Sequence, residues 1–286
     1  MTKTDVQIER DVIYAKADGY WTSAPVGVKG TVRRLIPKSF RKRPLELRMD
    51  IYKPAGETSG KRPLLIMLHG GSFYIGNKEE AGQAGWCEYF ASTGYVAASV
   101  DYRLGFLPFK CSVRKAERRA LEDADSALDY LLSREDLRID PDRVFAAGTS
   151  AGAMISLEMA FRPQDPRRAR IRAVGNFWGS VSDLKMLDYA DTAILSFQSE
   201  NDPIMPYSKG YPFQSRLGCF SFLMGLFSNK MYGTYAIYQK ALEKGIVCEH
   251  HACPETGHRL HMKKDGQFTP RFYEMRDAMA AFFGKC

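Results

Sequence analysis

Ser150 stands in Gly148-Thr149-Ser150-Ala151-Gly152, a G-x-S-x-G pattern with an apolar run before it (144–147) and an Ala-rich stretch after it (153–161). Strand, sharp turn and helix in that order make a nucleophile elbow, in which the serine Oγ is held out at the carboxyl end of a sheet. Glycines two places to either side remove Cβ atoms that would collide across so tight a turn. The Ala151 N–H, at the helix N-terminus, is then free to stabilise an oxyanion. On its own the pentapeptide fits a plain Gly/Ser turn equally well. An unactivated serine is a poor nucleophile and needs a base, itself oriented by an acid. His258, in the loop Glu255-Thr256-Gly257-His258, is the candidate base. His261 competes locally, His250 and His251 sit within the expected strand 247–252, and His69 belongs to a glycine loop. Asp202, in Glu200-Asn201-Asp202-Pro203-Ile204-Met205-Pro206, is the candidate acid, with Glu200 the nearby alternative. Asp183 and Asp188 come too early, after the preceding strand. The chemistry such a set performs is acyl transfer through a covalent intermediate, and Ser, Asp, His is the chain order expected of an elbow-borne serine.

A second loop supplies what the first lacks. His69-Gly70-Gly71-Ser72-Phe73 follows the apolar run 64–68. Its glycines let the backbone approach a reacting carbonyl, and by position the N–H groups of Gly71 and Ser72 join Ala151 as oxyanion donors. A simple Gly-Gly turn remains the alternative. Phe73, Tyr74, Phe106, Phe109 and Trp178 fall on loops or strand ends near these motifs; Phe73, Tyr74 and Trp178 are the candidates for substrate contact, although all five could equally be core.

Positioning these loops requires a sheet. Strands are expected at 6–15, 45–52, 64–68, 95–100, 144–147, 171–177, 193–197 and 247–252. Helices are expected at 79–93, 113–132, 153–161, 232–244 and 270–283, with a turn at Asp140-Pro141-Asp142. From residue 63 onward strands and helices alternate, which argues βαβ units and a mostly parallel sheet flanked by helices, a three-layer α/β sandwich. The reading is one domain over 1–286, with a basic loop inserted at 21–43 and an apolar insertion at 208–230. The latter holds Tyr211, Phe213, Phe220, Phe222, Leu223, Met224, Leu226 and Phe227. It reads as a flap or acyl-binding wall, able to touch a membrane or a second copy in a homodimer, or as ordinary core.

Bulk properties exclude several classes. The 286 residues are 45% hydrophobic and 26% charged, enough apolar material for one large core. The longest charge-free apolar stretch, 217–229, is shorter than the roughly 20 residues a bilayer span needs, so stable membrane insertion is not expected. No apolar run of signal-peptide type follows the start, which reads as cytoplasmic unless a signal has been removed. The net charge is +8, and 21–43 contains Lys29, Arg33, Arg34, Lys38, Arg41, Lys42 and Arg43 with no acid. Only Phe40 could stack on a base in that run, so a solvated loop is expected and no nucleic-acid partner. Six cysteines without framework spacing (Cys87, Cys111, Cys219, Cys248, Cys253, Cys286) read as reduced thiols. Cys248, His250, His251, Cys253, His258 and His261 crowd one segment, but strand alternation points His250 and His251 to opposite faces, so no metal is expected.

Taken together, His69–Phe73, Asp101-Tyr102-Arg103-Leu104-Gly105, Gly148–Gly152, Asp202–Tyr207 and Gly257-His258 resemble the α/β-hydrolase superfamily, and within it the carboxylesterase and lipase branch with an H-G-G-x oxyanion loop. Ser72 replaces the third glycine of the usual H-G-G-G. Leu47-Arg48-Met49-Asp50-Ile51-Tyr52-Lys53-Pro54 also resembles the second strand of acetyl- and feruloyl-esterase-like members. The likeness runs from about Leu45 to the end of the chain. It implies hydrolysis of small acyl or aryl esters, including those carried on plant polysaccharides, through Ser150, Asp202 and His258, with no metal or organic cofactor. A prolyl-oligopeptidase-like peptidase shares the elbow and triad, and a non-catalytic binding protein could retain the fold. The peptidase's usual propeller is missing here, and an intact triad argues against the binding protein.

Overall fold

A computed structural model describes residues 4–24, 41–56, 60–106, 110–162, 171–213 and 229–286, excepting the side chains of 110–112. Most of the basic stretch 21–43, the centre of the apolar stretch 208–230, Phe109, and the side chains of Cys111 and Cys219 lie outside the described residues.

Eight strands form one sheet: β1 (Val6–Gly19), β2 (Arg43–Pro54), β3 (Arg62–Leu68), β4 (Val96–Val100), β5 (Ile139–Thr149), β6 (Ile171–Phe177), β8 (Ala193–Ser199) and β11 (Cys248–Cys253). Their spatial order is β1-β2-β4-β3-β5-β6-β8-β11. β1 and β2 pair antiparallel with each other and β2 with β4; from β4 onward every pair is parallel. Parallel neighbours need crossovers: α1 (Ala81–Ser92), α2 (Lys110–Ser133), α3 (Ala151–Phe161) and α4 (Thr234–Glu243) supply four of them, a short 3-10 helix (Leu184–Asp188) lies between β6 and β8, and α5 (Pro270–Phe283) follows the last strand.

Strand alternation divides the apolar residues between two layers. Leu64, Ile66 and Leu68 of β3 pack with Ala116, Ala120 and Ala124 of α2 and with Ile155 and Leu157 of α3. Leu65 and Met67 turn the other way and pack with Trp86 and Phe90 of α1 and Met275, Met279 and Phe283 of α5. All seven residues of β3 are buried, as a central parallel strand covered on both faces must be.

The expected turn at Asp140-Pro141-Asp142 lies inside β5. Ile139 pairs with Arg62 and Val144 with Leu64, so four residues bulge out opposite one, and Asp142 N–H closes on Asp140 Oδ1 at 3.2 Å. Pro141 is accommodated because it sits in the bulge, where no ladder hydrogen bond is asked of it. A second sheet of three very short strands has no counterpart in the sequence reading: β7 (Ser180–Val181), β10 (Met231–Gly233) and β9 (Lys209–Gly210), in that order. β9 and β10 lie on either side of the apolar stretch 214–228 in the sequence and pair with each other, Met231 with Gly210 and Tyr232 with Lys209.

Candidate active site

Ser150 occupies the hinge between β5 and α3 with φ 52° and ψ −116°, a region that costs a non-glycine residue ~1–3 kcal/mol. The strain is held in place by neighbours: Ser150 N–H donates to Phe177 O at 2.9 Å, and Ser150 O accepts from Met154 N–H at 3.1 Å. Gly152 is required by close approach, since a Cβ there would lie 1.9 Å from Leu68 O at the end of β3.

His258 and Asp202 meet the serine from two other loops. His258 Nε2 lies 2.9 Å from Ser150 Oγ, and His258 Nδ1 lies 2.8 Å from Asp202 Oδ2 and 3.0 Å from Oδ1. The loop after β8 holds the carboxylate, whose Oδ1 accepts from the N–H groups of Ile204 (2.8 Å) and Met205 (3.1 Å). Pro203 stands between, with no N–H to compete. His261, the alternative base, is buried in an aromatic stack with Trp86 and Trp178, ring centroids 5.3 and 5.2 Å away. Burial pushes its pKa down to about 3. His250 and His251 take opposite faces of β11: His250 bonds Thr234, and His251 stacks on Phe197 at 4.2 Å.

Beside the serine, the glycine loop turns tightly. Gly71 has φ 117°, and a Cβ there would meet Ile75 O at 2.0 Å; its carbonyl accepts from Tyr74 and Ile75 N–H at 2.9 and 3.0 Å. Ser72 and Phe73 follow at φ 54° and 59°, so the serine in place of a third glycine sits in left-handed backbone. Among the described residues, the N–H groups of Gly71 and Ser72 have no acceptor. Ala151 N–H, the first of α3, has no intrahelical partner by construction of the helix. Behind the loop, buried His69 stacks on Tyr102 at 4.3 Å, and Tyr102 Oη donates to His69 O at 2.6 Å. Burial pushes His69 down to about 4, which keeps the imidazole neutral. Lys78, almost fully buried, bridges Asp50 at 2.8 Å and Asp11 at 3.1 Å, while its N–H donates to Asp101 Oδ1 at 2.6 Å. These contacts tie the glycine loop to β1, β2 and the end of β4.

Ser150, Ala151, Ser72 and Phe73 open onto a cavity of about 760 Å³, continued by Phe106, Leu121, Met154, Met205, Phe213 and Met231. Of the aromatic residues singled out in the sequence, Phe73, Phe106 and Phe213 line it. Tyr74 does not: it packs edge-on against Trp21 at 5.0 Å and Phe106 at 5.4 Å. Trp178 is also outside the lining. It is 1% exposed, its N–H donates to Phe197 O, and its ring lies 6.1 Å from that of His258, so it supports the base from beneath. Among the described residues no group of three or more His, Cys, Asp or Glu could hold a metal ion. Cys87, Cys248, Cys253 and Cys286 are free thiols. No helix among the described residues is long and apolar enough to cross a membrane.

Two carboxylates that the sequence did not single out line the far side of the cavity, Glu117 on α2 and Glu158 on α3. Burial, with Glu158 adding repulsion and Arg114 opposing it, pushes Glu117 up to about 7 from its ordinary 4.5. Folding therefore favours the protonated acid. The resulting penalty is absent below pH 4.5, grows between about 4.5 and 7, and is complete above 7. Glu117→Gln is expected to raise the melting temperature by a few degrees at pH 8 and leave it unchanged at pH 4. Equal gains at both pH values would trace the effect to packing instead.

A mostly parallel eight-stranded sheet between helical layers, with a serine elbow after β5, an acid after β8 and a histidine after β11, is the α/β-hydrolase fold. Residues 49–171 match the BD-FAE family model. Among curated proteins, the chain is 32% identical over 120 residues to Gut esterase 1 of Caenorhabditis elegans, covering 41% of this chain and 21% of that one. It is 29% identical over 191 residues to probable carboxylesterase 2 of Arabidopsis thaliana, covering 59% of each. The matched part thus spans less than two thirds of these relatives' length. Among solved structures, Thermogutta terrifontis esterase 2 superimposes with a TM-score of 0.60 at 19% identity, covering 84% of this chain and 89% of that one.

Proposed function

We propose that this protein is a serine hydrolase of carboxylic esters acting through an acyl-enzyme. The observation that carries the reading is the continuous hydrogen-bonded line from Ser150 Oγ through His258 to Asp202, at the mouth of a largely apolar cavity. His258 Nε2 takes the Ser150 proton as Oγ attacks the ester carbonyl, and Asp202 holds the imidazole in the Nδ1–H tautomer and stabilises the imidazolium. The N–H groups of Gly71, Ser72 and Ala151 receive the oxyanion. His258 then protonates the leaving alcohol, and water repeats the cycle on the acylated Ser150. The BD-FAE match and the esterase names of the relatives support the same class.

The substrates that fit are small acyl or aryl esters, including acetyl or feruloyl groups on carbohydrate. Phe73, Phe106, Met154 and Phe213 offer the acyl group an apolar wall. Each methylene buried there is worth ~0.8 kcal/mol, about fourfold in kcat/KM. A p-nitrophenyl ester series from acetate to octanoate, with a feruloyl ester beside it, is expected to show that rise over the first few methylenes and then a plateau. Absence of turnover on every ester by folded protein would overturn the reading.

A further inference from the structure

A second hydrogen-bonded line meets Asp202 at the oxygen nearer His258. Gln198, in β8, is fully buried, and its Nε2 donates to Asp202 Oδ2 at 3.2 Å and to the carbonyls of Met205 (3.2 Å) and Pro206 (3.3 Å). Its Oε1 accepts from Thr234 N–H at 3.2 Å and from Thr234 Oγ1 at 2.8 Å. The orientation of the amide follows from its partners. A backbone N–H on one side demands the oxygen, and two carbonyls on the other demand the nitrogen. Thr234 thus spends its hydroxyl proton on Gln198, so in its 3.0 Å contact with His250 Nε2 the imidazole donates. Burial, with His251 beside it, pushes His250 down to about 4, so the donor is a neutral Nε2–H tautomer. His250 Nε2–H, Thr234 Oγ1–H and one N–H of Gln198 each donate along the line toward the catalytic carboxylate, and the second Gln198 N–H goes to the Met205 and Pro206 carbonyls.

That arrangement has a consequence for the base. Asp202 Oδ2 is the oxygen nearer His258 Nδ1, at 2.8 Å, and it is the oxygen that Gln198 also contacts. A hydrogen bond to a carboxylate spreads its charge and weakens its pull on the imidazolium. We propose that Gln198 is a positioning residue for the reaction: its amide fixes the Asp202 carboxylate toward His258 and tempers it, so that the imidazole is free to accept a proton at neutral pH. The inference rests on the reading of Ser150, His258 and Asp202 given above. The other groups around His258 leave this to Asp202. His261 is buried and neutral, Arg259 is engaged by Glu80, and among the described residues Ser150 and the Trp178 ring also lie against His258.

The test is the pH dependence of Ser150 labelling by a fluorophosphonate, which needs no knowledge of the substrate, read together with kcat/KM on a p-nitrophenyl ester. Gln198→Leu is expected to move the acidic limb of both profiles up by about half to one pH unit. At pH 6 this appears as roughly a three- to tenfold loss, while rates at pH 9 stay within about threefold of wild type. Gln198→Met, unbranched and closer in length, is expected to shift the limb in the same direction and serves if the leucine variant fails to fold by circular dichroism. A loss equal at all pH values, with the limb unmoved in the folded variant, would overturn the positioning role and leave Gln198 a packing residue. Wild type that resists labelling at every pH would instead overturn the serine-hydrolase reading, and this inference with it.

Discussion

Ser150→Ala is expected to lower kcat on any accepted ester by about 10³-fold or more, with KM changed far less. The variant removes one oxygen from a site whose other parts remain seated. Its backbone bonds to Phe177 and Met154 do not involve the side chain, and Asp202 keeps its two loop N–H donors. What stays is the set of oxyanion donors and the cavity, which alone give only modest acceleration over water. The folded state should be unharmed or slightly firmer, since a serine at φ 52° gives way to an alanine with no hydroxyl to place. Steady-state kinetics beside a denaturation curve check both halves. Retention of more than about a tenth of wild-type kcat by a pure, folded variant would exclude Ser150 as the nucleophile.

Gly152→Ala should damage fold and catalysis together. Its new Cβ would stand 1.9 Å from Leu68 O, 2.4 Å from Leu68 C and 2.7 Å from His69 O. These are backbone atoms at the end of the central strand, so no rotamer change relieves the clash, and either α3 or the glycine loop must move. Overpacking in a well-packed core costs ~1–3 kcal/mol, occasionally more, and this contact is more severe than most. The same displacement separates Ala151 N–H from those of Gly71 and Ser72, and losing one oxyanion donor costs ~10²–10³ in kcat. Gly257→Ala is the control. Its nearest contact is the flexible tip of Leu260, at 3.2 Å, so it should behave nearly as wild type although it adjoins His258. Unchanged denaturation midpoint and kcat in Gly152→Ala would mean that the elbow and the glycine loop are not rigidly coupled.

The central strands β3, β4, β6 and β8 were legible because each carries a short apolar run, and β6 and α5 begin and end where the patterning places them. Legibility failed where an element is too short to carry a period. The strands β7, β9 and β10 have two or three residues, and only their pairing defines them. The bulge at Asp140-Pro141-Asp142 reads as a turn because its chemistry is a turn's chemistry, and only the register with β3 shows that the strand resumes on the far side. In the site, the serine, acid and base are legible because each follows a strand at its carboxyl end. Trp178 also follows a strand, but at φ 47° its ring folds under His258 into the core instead of facing the cavity. Gln198, Thr234 and His250 sit on three separate elements. Glu117 and Glu158 likewise look like polar positions on two separate helices, and only packing α2 against α3 brings them to one cavity.

β11 pairs with β8 alone among the strands, at the outer edge of the sheet with α4 against it, and the loop that carries His258 follows β11. Ser150, by contrast, is anchored at the sheet's centre, between β3 and β6. Edges of a sheet open at lower free energy than its middle, in partial unfolding events that leave the remaining strands paired. The proposed base is therefore mounted beyond an edge strand of the sheet, and the proposed nucleophile at its centre. A molecule whose edge has peeled away keeps nearly all of its secondary structure and its serine, but has no partner for that serine's proton. On the proposed function, catalytic competence therefore depends on the docking of this one border strand.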